Sequence, residues 1–542
     1  MPRFIPESRN GCAMGVLGLA ALLLAGCMVG PNYKEPTAHL EQEWMDAGDP
    51  GVQRGAAELT KWWEVLHDPV LNTLVERAYQ NNPSLHAAAI RVLQAQAARG
   101  IAVGLLFPQQ QDATGSFSWN QTSENAGAAE PQNTARLRLY NHVSALQGLG
   151  LNPVGYLFQK WAGEPGVDNR FHNWELYGLS VGWELDVWGR FRRGIEAADA
   201  TVLASLANYD DVLVSLIAEV AADYVLLRTS EEQLEIVRQN LKIQQEAYEI
   251  VKLRREGGTA TELDVAQAET LMHETEAEIP ATEASIRQTK IALCTLLGMP
   301  PQDISELLGE QRPIPSPPEI VRLGVPAELL RRRPDIRRAE RLLAAQCANI
   351  GIAVSDLYPH FSLNGDIGLS AEHFPDLYRG NSFQAFAGPS VRWAILDYGR
   401  FENNVRVQDA VFQASISDYE NLVLQAQGEV ERAVAGLIGA QQQLTPLTGS
   451  VEAASRAVDV AQQQYKGGIA NFTTVLVVQQ FLLTEQSRLV DTRGLAAQNL
   501  IILYRALGGG WELREGKELV PTDIKEQMRK RTDWDGMITV ED

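Results

Sequence analysis

The chain contains two similar halves, and this internal duplication constrains its fold more than any other feature of the sequence. Residues 180–191 resemble residues 390–401, which lie 210 positions further along. Upstream, residues 100–103 match residues 351–354 at a separation of 251. The difference, 251 − 210 = 41, indicates an insertion in the first copy. The stretch 116–170, rich in Asn, Gly, Ala and Gln, is therefore interpreted as a long exposed loop.

Each copy also carries apolar residues spaced seven apart, which predicts long helices packed as coiled coils. The series are Leu206, Leu213, Val220, Leu227, Leu234, Leu241 and Tyr248 in the first copy, and Ile416, Val423, Val430, Leu437, Leu444, Val451, Val458 and Tyr465 in the second. No proline interrupts residues 195–256, and 62 helical residues would extend about 93 Å at 1.5 Å each. Return helices follow the long helices, and Pro280 and Pro446 are expected to kink or locally loosen two of these four helices.

Two glycine pairs mark where these helices must reverse. Gly257 and Gly258 recur as Gly467 and Gly468 at the separation of 210. Glycine adopts the positive φ that a helix C-terminus commonly needs. We therefore predict that the four glycines form the tips of two helical hairpins.

Between the helices the apolar period changes to two, which predicts strands with one apolar and one polar face. The alternating residues are Tyr177, Leu179, Val181, Trp183 and Leu185, then Phe361, Leu363, Ile367 and Leu369, then Val391, Trp393 and Ile395, with Phe117 and Trp119 opening a similar segment. This pattern predicts four strands per chain, two in each copy. Both a small half-buried sheet and transmembrane β-strands of about ten residues fit it.

The open edges of a four-stranded sheet bear on whether the chain forms oligomers. Four strands cannot close a barrel, and an open sheet edge cannot face lipid because its N–H and C=O groups would lack partners. If the strands are embedded in a membrane, several chains must pool them. Three chains give 3 × 4 = 12 strands, an even number that suits a transmembrane barrel.

The N-terminus has the form of a secretory signal. Arg3 and Arg9 precede an apolar run that ends at Gly26, directly before Cys27. Residues 24–27 resemble the bacterial lipoprotein box, which implies a signal peptide over residues 1–26 and diacylglycerol and N-acyl chains on Cys27. An ordinary secreted protein with a cysteine at its cleavage site is the alternative. Met28, which is not the aspartate that commonly retains lipoproteins in the inner membrane, favours sorting to the outer membrane.

Composition and motifs argue against several other functions. The formal charge of −21 argues against a nucleic-acid partner. Four scattered cysteines and eight histidines without ligand spacing predict no disulfide framework, metal site or cofactor. The sequence has no phosphate-binding loop and no nucleophile elbow, so we expect no enzymatic activity.

Several motifs together resemble the outer-membrane efflux proteins, the TolC-like channels and more narrowly the NodT/OprM-type lipoproteins. The motifs are Trp62-Trp63, Asp68-Pro69, Asn82-Pro83, the Arg-rich run 330–340 and the duplicated Gly-Arg-Phe turns. The resemblance implies a mainly α fold with membrane β-strands, in which a homotrimer forms a 12-stranded β-barrel and a periplasmic α-barrel. It also implies an outer-membrane exit duct that works with a periplasmic adaptor and an inner-membrane transporter.

The resemblance divides the chain and assigns a candidate gate. The predicted divisions are a lipidated N-terminal segment (27–82), a first repeat (83–298), a Pro-rich connector (299–333), a second repeat (334–508) and a polar C-terminal tail (509–542), which we expect to be loosely ordered from Glu512 onwards. Members of the family hold a closed periplasmic tip partly through an Asp–Tyr hydrogen bond, and the matching positions here are Asp264 and Tyr465. Two positions that carry carboxylates in the family are Thr474 and Val477 here, so we expect no ring of carboxylates at this level. Tyr465 also continues the heptad series, so a role in the core is equally compatible.

The sequence therefore predicts a passive outer-membrane duct for drugs or other small molecules. One alternative is an acylated coiled-coil scaffold that tethers the envelope without conducting. A duct of the same fold that secretes proteins or polysaccharides is another. The alternating strands favour a duct over a tether, because a tether does not need them.

Overall fold

The computed structural model describes residues 28–37, 41, 43–55, 58–121, 170–534 and 536–537. The predicted signal peptide, Cys27 and most of the predicted loop 116–170 lie outside the described residues. The chain divides into two compact units. Of the described residues, one unit contains those within 28–30, 101–194 and 351–405, and the other contains those within 31–100, 195–350 and 406–537.

The first unit is built on a four-stranded sheet with the strand order β2-β3-β5-β6. Its strands are β2 (Gln110–Gln121), β3 (Arg170–Leu185), β5 (His360–Ala371) and β6 (Phe383–Arg392). All three pairings are antiparallel, and the pairing of β3 with β5 joins the first copy of the repeat to the second. The prediction of four strands is therefore confirmed. The predicted loop began too early, because β2 continues to Gln121.

One side chain lies on the opposite face from the one predicted. In β3 the register against β5 shifts between Tyr177 and Leu179, because Gly178 is an extra residue that forms a β-bulge. Leu179 and Leu176 lie opposite Ile367 and Leu369, whereas Tyr177 lies opposite Gly368. Tyr177 therefore does not share a face with Leu179. A regular alternation of apolar and polar residues does not reveal a bulge. The extra residue moves the side chains of all preceding strand residues to the opposite face of the sheet.

The last strand also ends earlier than predicted. β6 stops at Arg392, so Trp393 and Ile395 lie beyond its end. In the first copy the equivalent residues Trp183 and Leu185 are still in β3, where they pair with β5. Backbone pairing with a neighbour extends β3, and β6 has no such neighbour on its outer side among the described strands.

The second unit contains most of the helical structure. The helices that occur before the connector are α1 (Pro69–Asn81), α2 (Pro83–Gly104), α3 (Arg190–Glu256) and α4 (Glu262–Leu296). Those in and after the connector are α5 (Ser305–Leu308), α6 (Pro326–Arg332), α7 (Pro334–Ser355), α8 (Arg400–Lys466), α9 (Phe472–Ala506) and α10 (Thr522–Arg531). Helices α3 and α8 contain 67 residues each, and α4 and α9 contain 35 each, which matches the predicted duplication. Helices α4 and α8 run without interruption through Pro280 and Pro446.

The heptad positions pack into the core of this unit. Leu213, Val220 and Leu227 of α3 and Val430 and Leu437 of α8 are fully buried and belong to one apolar cluster. The Trp62–Tyr504 pair lies in the same cluster, with ring centroids 5.3 Å apart. Burying such side chains contributes roughly 1.5–3 kcal/mol each. This contribution outweighs the weak intrinsic helix propensity of single residues. None of the described helices is both long and apolar enough to cross a bilayer.

The connector is ordered and pairs with the N-terminal segment. Strand β1 (Val52–Arg54) lies parallel to β4 (Val321–Leu323), and the two form a small second sheet. Asp68 caps α1, accepting a hydrogen bond from the Val70 N–H at 2.9 Å. The N-terminal segment thus pairs with the connector through β1 and β4 and ends in helix α1, which lies in the same unit.

The prediction of a loosely ordered tail is wrong for most of its length. A 3-10 helix (Trp511–Arg514) follows the glycines at 508–510, and α10 follows it. Val520 and Met528 are buried, and the Lys517 ammonium lies 4.4 Å from the centre of the Tyr79 ring. The tail has a polar composition, yet its few apolar residues are placed where they can pack.

Candidate functional site

Both helical hairpins reverse through the same backbone motif. At the end of α3 the Thr259 N–H donates to the Arg254 carbonyl at 2.8 Å, with Gly258 at φ = 73° between them. At the end of α8 the Ile469 N–H donates to the Gln464 carbonyl at 2.9 Å, with Gly468 at φ = 75°. These are Schellman-type C-caps, which satisfy the last carbonyls of a helix through a residue in the left-handed conformation. The predicted glycine pairs lie at these two tips.

The return helices begin with related but chemically different caps. In α4 the Thr261 hydroxyl accepts from the Asp264 N–H at 3.2 Å, and the Asp264 carboxylate accepts from the Thr261 N–H at 2.8 Å, forming a capping box. In α9 the Asn471 side chain accepts from the N–H and the hydroxyl of Thr474, at 3.0 and 2.7 Å. Thr474 is the repeat equivalent of Asp264, since 264 + 210 = 474. The second tip therefore retains a side-chain cap at the start of its return helix, but Thr474 lacks the negative charge that Asp264 carries at the first tip.

The two residues expected to form the Asp–Tyr bond do not bond to each other in the protomer. The Asp264 carboxylate is bound by the backbone and hydroxyl of Thr261. The Tyr465 hydroxyl is buried and has no hydrogen-bond partner among the described residues. Asp264 is near enough to act electrostatically, and together with burial, the larger cause, it raises the pKa of Tyr465. Asp264 and Tyr465 as gate residues of the assembled protein thus stay a prediction.

Arg254 contacts Tyr465 instead, and no motif or spacing in the sequence identifies it as a site residue. Its guanidinium lies 4.5 Å from the centre of the Tyr465 ring and lowers the pKa of that phenol, against the effect of burial. Its Nη2 also donates to the carbonyl of Lys466 at 2.7 Å. Because Arg254 lies in the last turn of α3 and Lys466 is the last residue of α8, this side chain links the tips of the two hairpins.

An apolar cluster lies beneath these polar contacts. Phe472 packs against Tyr465 with ring centroids 5.3 Å apart, and Val251, Val265 and Val475 are buried beside them. Val477 faces outward with 58% of its surface exposed. The tips of the two hairpins therefore pack against each other through this apolar cluster. Positions 474 and 477 carry Thr and Val, so neither supplies a carboxylate at the surface of the tip.

The second candidate site is the pair of outer sheet edges in the first unit. Strands β2 and β6 lie at the two ends of the strand order and have no partner on their outer sides within the described chain. One face of this sheet exposes large apolar side chains, among them Phe117 (54%), Trp119 (60%), Ile367 (50%) and Val391 (62%). The other face carries polar residues such as Asp112, Ser180, Asn364, Asp366 and Ser390.

The described residues contain no group of three or more His, Cys, Asp or Glu side chains placed to hold a metal ion. Cys294 and Cys347 are buried, as predicted for small core residues.

A sheet with an apolar outer face, together with two duplicated helical hairpins, is the fold of outer-membrane channel proteins. The sequence profile of the outer membrane efflux protein family matches residues 74–299 and 325–509. The chain belongs to this family, and it is an outer-membrane efflux channel protein.

Named relatives support this assignment over nearly the whole chain. The pyoverdine export outer membrane protein OpmQ of Pseudomonas aeruginosa is 30% identical over 91% of this chain and 96% of its own length. The solvent efflux pump outer membrane protein SrpC of Pseudomonas putida is also 30% identical, over 92% and 98%. The structure of the outer-membrane channel OprN superposes with a TM-score of 0.77 at 29% identity, covering 90% of this chain and all of that one.

Proposed function

We propose that three copies of this chain form the exit duct of a tripartite efflux pump. Their sheets would join into a 12-stranded β-barrel in the outer membrane, and their hairpins into an α-barrel in the periplasm. The observation that carries this proposal is the sheet, which exposes an apolar face and leaves the outer edges of β2 and β6 unpaired in the described chain. In lipid such edges must find partners, and other copies of the same chain supply them.

The proposed partners are a periplasmic adaptor, which would dock at the hairpin tips, and an inner-membrane transporter, which would supply the energy. OpmQ exports pyoverdine and SrpC belongs to a solvent efflux pump, as their names state. We propose that this chain likewise conducts small organic molecules passively and catalyses no reaction. A duct that receives its cargo from a transporter does not need to recognise that cargo chemically.

We further propose that Cys27 carries diacylglycerol and an N-acyl chain. Several acyl chains together give stable anchoring, whereas one gives only marginal binding. Radiolabelled palmitate should enter the wild-type protein and should be absent from Cys27→Ser. If Cys27→Ser is labelled equally, the lipoprotein assignment is wrong.

The duct proposal is tested by placing a charge on either face of β5, near the middle of the strand. Ile367→Lys puts a cation on the apolar face, where it costs roughly 2–4 kcal/mol at mid-bilayer. Asn364→Lys puts the same charge on the polar face of the same strand and serves as the matched control. We expect trimers that resist unheated SDS, and conductance in planar bilayers, from the wild type and Asn364→Lys but not from Ile367→Lys. A monomeric wild-type protein without conductance would favour the scaffold instead.

A further inference from the structure

Both copies contain a junction at which one helix ends against the start of another. In the first copy the Asn82 side-chain amide donates to the carbonyl of Leu296, the last residue of α4, at 2.9 Å. In the second copy Arg333 Nη1 donates to the carbonyl of Ala506, the last residue of α9, at 2.8 Å. Asn82 and Arg333 are repeat equivalents at the separation of 251, and Leu296 and Ala506 are equivalents at 210. The same carbonyl is therefore bound in both copies, by an amide in the first junction and by a cation in the second.

A cleft of about 650 Å³ lies beside the second junction and is bordered by α3, α8 and α9. Its lining contains six charged side chains, which are Asp211, Arg333, Asp335, Glu429, Arg432 and Arg505. All six belong to the second, helical unit. We call this feature the junction cleft.

Most of these charges have no counterpart at the first junction. The second copy supplies Arg333, Asp335, Arg432 and Arg505, whose equivalents in the first copy are Asn82, Ser84, Ala222 and Thr295. Only Glu429 keeps its charge, as Glu219. Because the first junction forms without these charges, the helix packing of the repeat does not require them.

Three of the charged groups satisfy one another within the chain. The Arg333 guanidinium is buried and pairs with Asp335 at 2.7 Å and with Glu429 at 2.9 Å. It also donates to Ala506, as described above. Arg333 therefore closes the junction, and the carboxylates of Asp335 and Glu429 are engaged by it.

The remaining cations of the cleft are not satisfied in this way. Arg432 of α8 and Arg505 of α9 are both exposed, and neither forms an ion pair within the part of the chain that the structure describes. Burial raises the pKa of Asp211, and Arg505 is close enough to oppose that shift. Once Arg333 and its carboxylates are set aside, two cations and one carboxylate remain. The junction cleft therefore carries an unbalanced positive charge in a protein whose formal charge is −21.

We propose that the junction cleft binds a small organic anion, whose carboxylate groups are held by Arg432 and Arg505. Guanidinium groups match carboxylates in geometry and form charge-assisted hydrogen bonds with them. Two cations that line one cleft repel each other, and an anion between them removes this repulsion. The site lies within the helical unit of one chain, so the inference does not rest on the proposed duct.

The rest of the lining indicates an organic ligand rather than a bare ion. Ser215 and Asn499 can donate hydrogen bonds to further oxygen atoms, and the apolar side chains of Val214, Ala433 and Ile502 line the same cleft. The volume falls within the range of roughly 300–1,000 Å³ that is usual for ligand pockets. A ligand there would also contact residues on both sides of the second junction, since Asp335 belongs to α7 and Arg505 to α9.

Isothermal titration calorimetry of the full-length protein in a non-ionic detergent tests the site, with citrate as the probe. We expect saturable binding by the wild type at one site per chain. Arg432→Gln and Arg505→Gln should each weaken this binding by about tenfold or more, because each removes a charged donor. Arg456→Gln is the matched control, since Arg456 is an exposed arginine further along α8 and outside the cleft. It should leave the affinity for citrate unchanged.

Two further measurements depend on the sign of the charges. Asp211→Asn should tighten the binding of citrate, because it removes the carboxylate that repels the ligand without being paired to Arg333. Triethyl citrate has the same skeleton without the charges and should not bind. Citrate should also raise the thermal midpoint of the wild type by mass action, and it should not do so in Arg432→Gln/Arg505→Gln.

The outcomes separate this site from the proposed function. Absence of saturable citrate binding by the wild type would overturn the inference, as would binding that persists in Arg432→Gln/Arg505→Gln or that Arg456→Gln weakens equally. Loss of the SDS-resistant trimer in both arginine variants, without citrate binding by the wild type, would show that these cations serve contacts between chains instead. The trimer and conductance of the wild type are measured without citrate, so failure of the site would leave the duct proposal intact.

Discussion

At the residue scale, the hairpin tips depend on a few polar contacts over an apolar joint. Arg254 reaches from the end of α3 to the Tyr465 ring and to the carbonyl of Lys466. A cation over an aromatic ring contributes about 0.5–1 kcal/mol, and a hydrogen bond from a charged donor about 1.5–3 kcal/mol. These contributions are large enough to bias a gate and small enough for a docked partner to overcome.

We therefore predict that Arg254→Met loosens the tip. Methionine keeps much of the side-chain volume but removes both the cation and the donor to Lys466. If the tips form the gate, single-channel recordings in planar bilayers should show a larger open fraction, by about tenfold or more.

The neighbouring Arg255→Met is the control, because the Arg255 guanidinium forms an ion pair with Glu262 at the same tip. Equal conductance in the two variants would contradict a specific role for Arg254. An unchanged closed state in both would show that the contacts of Arg254 do not hold the gate closed.

A half-buried carboxyl group gives a pH-dependent prediction. Burial, together with the nearby Glu219, raises the pKa of Asp223 in α3. The folded protein thus holds this proton more tightly than the unfolded chain, so its contribution to stability is present at low pH and lost as pH rises through the raised pKa. Asp223→Asn should raise the thermal midpoint at pH 7, and the gain should vanish below about pH 4.

Asp303 provides a control of opposite sign for these melts, which circular dichroism can follow. Two hydrogen bonds from Ser305 lower the pKa of Asp303. Asp303→Asn should therefore lower the midpoint at pH 7. A loss of stability in Asp223→Asn would show that burial does not raise the pKa of Asp223. A gain of stability in Asp303→Asn would show that these melts do not report the pKa shifts of single carboxyl groups.

At the scale of the element, helix length is set by where the chain can reverse. Helices α3 and α8 end one residue before Gly257 and Gly467, after 67 residues each. Only the second glycine of each pair adopts positive φ, at 73° and 75°. The two glycines of a pair therefore have different roles, although the sequence presents them as equivalent.

We predict that Gly258→Ala lowers the free energy of unfolding by about 1–2 kcal/mol, because alanine is strained in the left-handed region. No atom lies within 4 Å of a Cβ added there, so the cost is purely conformational. Thermal unfolding followed by circular dichroism measures the change.

Gly257→Ala is the matched control, since its added Cβ would meet only ordinary contacts at 3.6 Å. It should be neutral or slightly stabilising. The same contrast is expected between Gly468→Ala and Gly467→Ala. Equal losses within a pair would mean that the Schellman geometry is not what alanine disturbs.

At the scale of the whole molecule, one buried carboxylate joins three distant parts of the chain. Asp210 of α3 is fully buried and accepts hydrogen bonds from Arg337 of α7, at 2.7 Å, and from Arg514 of the tail. The Trp511 ring lies between these cations, 4.5 and 5.6 Å from their guanidinium carbons. The first repeat, the second repeat and the tail thus meet at one carboxylate.

We predict that Asp210→Ala costs about 3 kcal/mol or more, because it leaves two cations without their buried partner. The change should also expose the tail to limited proteolysis near residue 516. Asp199→Ala removes an exposed ion pair with Arg99 and should cost at most about 1 kcal/mol. Similar losses in both variants would show that Asp210 is not what fixes the tail.

The sequence by itself determined the repeated architecture. Heptad spacing defined the long helices, period two defined the strands, and the glycine pairs located the tips. These signals are local, because each depends only on which residues lie a few positions apart. Apolar residues at these periods leave one helical stripe or one strand face to bury.

Only the tertiary structure decided the rest, because it depends on residues distant in the chain. The bulge at Gly178 reverses the face of Tyr177, and no local pattern records an extra residue in a ladder. Arg254 reaches Lys466 across 212 positions, and the apolar residues of a polar tail find their places against α1 and α3. Periodicity specifies which face of an element is buried, whereas side-chain contacts between elements are fixed only when the elements pack.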